Sequence, residues 1–166
     1  LMGNIELGRG NHAKALAHLG AVHAGSPDNL QLLASLSDTY LALRRWQDAE
    51  ATAQRMLELD PGSSQANLTL ARCFLRQDKA EQAADAALEA VGLQFGNPQG
   101  HFLLGAALVQ LENWPAAAKA LRNHLQLNPH NGLAARYLAQ VCRALGKTEE
   151  AENYEYQSRI LRAKNQ

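Results

Sequence analysis

Ala15, Ala49, Ala83, Ala117 and Ala151 stand 34 residues apart along this chain. Pro27, Pro61 and Pro129 keep the same step, interrupted only by Phe95, and Gln31, Gln65 and Gln99 form a third column. A unit of this length is one supersecondary element that cannot bury its apolar face alone, so successive units must stack. The chain is therefore expected to be a stack of helix-turn-helix units, and not a globule around one central core. Each unit carries two runs of apolar residues at three- and four-residue spacing, separated by a short polar break and followed by a proline-bearing loop.

The spacing places the helices. In the second unit, Asp28 or Asn29 caps a first helix ending near Leu43, and a second helix runs from about Trp46 to Leu59. The third unit has helices over 64–76 and 79–92. In the fourth they cover 98–111 and 114–127, with Asn97 as cap and Pro98 at the first helical place. The fifth has 132–145 and 148–163, and Gly146 suits a left-handed helix stop. Residues 1–8 read as the tail of a first helix whose beginning would precede Leu1, so the chain is expected to be a piece of a longer protein. In the last helix Glu155, Ser158 and Arg159 replace apolar places, which fits a polar capping helix. A single domain over 1–166 follows, with units at about 1–29 (partial), 30–63, 64–97, 98–131 and 132–166.

Sixteen basic and sixteen acidic side chains cancel, so no global field draws the chain to nucleic acid or an anionic membrane. No apolar run approaches the roughly 18 residues of a membrane span. Cys73 and Cys142 sit two units apart on apolar faces, beyond the roughly 7 Å that a disulfide allows, and are expected to be buried thiols. Unpaired thiols point to the cytoplasm, with a periplasmic scaffold as the alternative.

No catalytic or cofactor-binding constellation emerges. His12, His18 and His23 do not share a helix face, His124 and His130 straddle a helix end, and His101 is alone, so no metal site is expected. Gly8-Arg9-Gly10 lacks the strand and lysine of a phosphate loop. Trp46 and Trp114, equivalent in register, are expected to pack between helices. The residues point to a protein that is not an enzyme.

Leu36-Ser37, Leu70-Ala71, Leu104-Gly105 and Leu138-Ala139, followed three residues on by Tyr40, Phe74, Leu108 and Cys142, complete a pattern with the alanine and proline columns. The whole chain resembles the tetratricopeptide repeat family, as a bacterial-type array. The resemblance implies an all-α, right-handed superhelix of antiparallel helix pairs whose first helices line a concave groove. Small residues recur because helix backbones approach closely only where side chains are small.

Carried over residue by residue, the resemblance puts Gln31, Asp38, Gln65, Arg72, Arg76, Gln99, Phe102, Arg136, Tyr137 and Arg143 on that wall. Four arginines against one aspartate (4 − 1 = +3) make the wall basic in a neutral chain. The implied function is a non-catalytic scaffold that binds an extended peptide or partner segment, acidic and apolar in character. Arginine would fork onto its carboxylates, and the glutamines would bond its backbone. The lysine–asparagine pair of the family's chaperone-tail clamp is missing from every unit. The alternative is an accessory region of a larger enzyme, of the phosphodiesterase, sulfotransferase or glycosyltransferase kind. Glu89–Gly105 is similar to tails of bacterial alkaline-phosphatase-like phosphodiesterases. A homodimer through the half-covered apolar face around Ile5, Leu16 and Leu19 is a further expectation.

Overall fold

The computed structural model describes residues 2–163. These form ten helices, which pair in chain order: α1 Met2–Gly8 with α2 His12–His23, α3 Leu30–Ala42 with α4 Trp46–Leu59, and α5 Ser64–Arg76 with α6 Ala80–Leu93. They continue with α7 Pro98–Gln110 and α8 Trp114–Leu127, then α9 Gly132–Ala144 and α10 Thr148–Ala163. Each helix packs on its partner and on the helix that follows, and α5 also meets α3 and α7. The result is an α-solenoid of antiparallel helix pairs. The expected boundaries hold to within one residue from α4 onward.

The starts of the first helices share one device. Asn29, Ser63, Asn97 and Asn131, again 34 apart, each accept a hydrogen bond from a backbone N–H of the first turn. Asn29, and not Asp28, is the cap of α3; Asp28 instead pairs with Arg55 at 2.5 Å. The turns inside the pairs are just as regular. Gly10, Arg44, Asp78, Glu112 and Gly146 occupy one register position, and all five have φ between 55° and 76°. The next residue's N–H then donates to a carbonyl five residues back, as Arg45 does to Tyr40 at 2.9 Å and Lys147 to Cys142 at 2.8 Å. This left-handed residue is strained wherever it is not glycine, and three of the five are not.

The five registered alanines are at most 1% exposed. They sit where second helices press against their partners, and a larger side chain would hold the backbones apart. A second pair of columns shows the same constraint as a trade of volume. Gly3 faces Leu19 and Gly105 faces Leu121, and in each case a Cβ on the glycine would lie 2.6 Å from the leucine Cγ. In the register between them Ala71 and Ala87 occupy the equivalent places, both 0% exposed. In these units, glycine on the first helix goes with leucine on the second, and alanine with alanine.

The last described helix, α10, buries Ala151. Its polar side chains are engaged along the stack: Glu155 pairs with Arg143 at 2.5 Å, and the Ser158 hydroxyl donates to the Gly132 carbonyl at 2.8 Å. Cys73 and Cys142 are free and buried. No helix among the described residues is long and apolar enough to cross a membrane.

Candidate functional site

The first helices line a groove of about 730 Å3 that runs from Leu7 and His12 to Leu133 and Tyr137. Its wall is built at helical spacing. α3 contributes Asp38, Leu41 and Ala42; α5 contributes Arg72, Leu75 and Arg76; α7 contributes Gln99, Phe102, Leu103, Ala106 and Gln110. Alanines at 42 and 106 keep the wall open between larger side chains.

Six of the ten residues expected on this wall share the groove: Asp38, Arg72, Arg76, Gln99, Phe102 and Tyr137. The other four lie elsewhere. Gln31 lines a separate cleft between the first helix pair and α3. Gln65 turns back and donates to Asp38 at 3.3 Å. Arg143 is held by Glu155, and Arg136 lines a cavity between α9 and α10. The glutamine column therefore does not converge: of the three, Gln99 alone lines the groove.

Leu7 on α1, and His12 and Trp46, which open second helices, also line the groove. The expectation for Trp114 agrees with its packing on the buried cluster of Leu121, Leu138 and Val141. Trp46 departs from it. It opens α4 directly after the tight turn at Arg44, which leaves its ring at the groove edge, where the Arg76 guanidinium lies 5.7 Å from the ring centroid. An aromatic residue opening a second helix was the available signal.

The middle of the groove is aromatic and firmly backed. Phe102 meets Tyr137 edge-on at 5.8 Å and His124 at 5.4 Å. His124 is buried behind it, with its Nδ1 2.7 Å from the Pro98 carbonyl, while His101 Nε2 lies 2.8 Å from the Phe95 carbonyl. These histidines pack the fourth unit and hold its entering loop. Burial raises the Asp38 carboxyl above the ordinary range, and the Arg72 charge pulls it partly back. No group of three or more His, Cys, Asp or Glu among the described residues could hold a metal ion.

The end expected to self-associate is partly closed. Ile5 is exposed and Leu16 half-buried, but Leu19 is only 5% exposed because α1 lays Gly3 directly over it.

A family model described as "Anaphase-promoting complex, cyclosome, subunit 3" matches residues 42–124. Two models described as "Tetratricopeptide repeat" match residues 6–57 and 102–166. No curated protein sequence matches the chain. Among solved structures, a crystal structure of MamA superposes with a TM-score of 0.84 at 21% identity, covering 99% of this chain and 96% of that one. MamA from Desulfovibrio magneticus RS-1 gives 0.84 at 17% identity, with 98% and 92% covered. A MamA RS-1 double mutant gives 0.85 at 17%, with 99% and 92% covered. At such identities the likeness speaks for the fold, a right-handed stack of helix pairs. The registered columns, the helix pairs they fold into and the matching models make this chain a member of the tetratricopeptide repeat family.

Proposed function

We propose that the chain is a non-catalytic interaction scaffold, one module of five helix pairs that holds an extended partner segment in its concave groove. The observation that carries this reading is the groove's chemistry. Two arginines, Arg72 and Arg76, stand beside an apolar stretch of Leu75, Phe102, Leu103 and Tyr137 in one open cavity. Arginine presents planar forked donors to carboxylates, and the aromatic stretch removes apolar surface from water. A segment with acidic and apolar side chains a few residues apart meets both. Asp38 lies toward the N-terminal end, so carboxylates are favoured near Arg72 and Arg76 and disfavoured beside Asp38. Such a segment loses conformational freedom on docking, which limits affinity to a modest value.

The test is fluorescence polarisation of labelled peptides that alternate acidic and aromatic residues, against neutral peptides of the same length. The acidic-aromatic set is expected to bind at least tenfold more tightly. Both Arg72→Glu and Phe102→Ala are expected to remove that preference. Equal binding of the two sets, or variants indistinguishable from the parent chain, would overturn the reading.

A further inference from the structure

We propose that the cavity between α9 and α10 is a separate site for a multi-oxygen anion, a carboxylate or phosphate group borne by a partner segment. It is an open cleft of about 590 Å3, walled by Asn128, His130, Asn131, Arg136, Ser158 and Arg162, with Leu133 and Leu161 at its apolar edges. Two guanidiniums and an imidazole thus face one space, and no carboxylate among the described residues lines it. Arg143 on α9 is already matched to Glu155 at 2.5 Å and, one helix back, Arg122 to Glu150 at 2.7 Å. Arg136 and Arg162 form no ion pair among the described residues.

The remaining polar atoms are arranged to leave donors over. The carboxamide oxygen of Asn131 accepts the Ala134 N–H at 3.0 Å, which turns its NH2 group away from the helix. Ser158 satisfies the Gly132 carbonyl, and Gln157 donates to the Pro129 carbonyl at 3.3 Å, so the loop's acceptors are engaged from the α10 side. Gly132 permits this closeness, since a Cβ there would already touch Leu161 and the Ser158 carbonyl at 3.3 Å. What is left facing the cavity is rich in N–H and positive charge. A group with two or three anionic oxygens offers acceptors and opposite charge to both arginines, and a cationic group does not.

Leu133 lines both this cavity and the groove, so a segment in the groove can deliver an acidic or phosphorylated residue here. That delivery rests on the scaffold reading; the anion site does not.

Inorganic phosphate and succinate, titrated separately into the full chain and followed by amide NMR, test the site. Saturable shifts are expected at residues 130–133, weakened at least tenfold in Arg136→Gln and in Arg162→Gln and unchanged in Arg72→Gln. Both arginines are exposed, and thermal melts of the glutamine variants, matched to the parent, check that the fold is kept. Saturation by phosphate alone would assign the source as a phosphorylated residue; saturation by succinate alone would assign it as carboxylates. Linear shifts with both anions, or equal binding by the parent and glutamine variants, would overturn the proposal. If peptides fail in the groove while anions saturate this cavity, the groove reading falls and this one stands.

Discussion

Replacing Gly105 by alanine places a methyl group 2.6 Å from the Leu121 Cγ and 2.8 Å from its Cδ2, well inside contact distance. Leu121 is 0% exposed and lies within a buried apolar cluster. Overpacking of this kind costs about 1–3 kcal/mol, and the helix-propensity gain of alanine over glycine returns only about 0.8–1 kcal/mol. The single variant should therefore lose about 1 kcal/mol. Leu121→Ala alone removes the clash partner and leaves a cavity, at about 2–5 kcal/mol. In that background the same Gly105→Ala change should stabilise, because the new methyl partly fills the cavity and keeps its propensity gain. The double variant rebuilds the Ala71/Ala87 pair that this chain already carries one unit earlier. Urea unfolding by far-UV circular dichroism of the four chains, compared at constant m, measures the cycle. Destabilisation by Gly105→Ala in both backgrounds, with additive effects, would refute the volume-trade argument.

Three further outcomes are expected. Glu112, at φ 55°, occupies the left-handed place that glycine fills at Gly146. Glu112→Gly should therefore raise stability by about 0.5–1 kcal/mol, and Gly146→Ala should lower it by a similar amount, read as opposite shifts in urea midpoint. Asp38→Asn should be more stable than the parent at neutral pH, since burial raises this carboxyl in the folded chain and its ionised form therefore opposes folding. That penalty is absent below the unfolded value of about 3.9, where both states are protonated, and grows as pH rises through the raised folded value. Melts across acid pH should show the two chains converging at the low end; a gap that widens there would contradict the assignment. Burial, with Glu50 adding to it, pushes the Cys73 thiol up to about 11. A disulfide reagent at pH 8 should leave Cys73 unmodified in the folded chain and label it once urea is added.

The period, the small-residue columns and the caps at Asn29 and Asn97 were legible because each is enforced locally. A cap needs Asn or Ser, and a close crossing needs Ala or Gly. The left-handed column was hidden, since Arg44, Asp78 and Glu112 tolerate a conformation that their residue types do not announce. The groove was legible wherever a first helix alone determines a side chain's direction, as at Arg72, Arg76 and Phe102. It was not legible where a neighbour intervenes. Gln65 is turned by Asp38, 27 residues away, and Arg143 is held by Glu155 on α10. Trp46 reaches the groove from a second helix, which a rule about first helices does not cover.

The account stands on where a partner touches the stack. Amide and side-chain NMR perturbations on adding an acidic-aromatic peptide to the full chain would locate that contact directly. The account predicts shifts confined to Asp38, Arg72, Gln99, Phe102, Tyr137 and the Trp46 indole, with Leu88 and Lys119 on the second helices unmoved. Shifts centred on Leu88 and Lys119, with the groove silent, would contradict it.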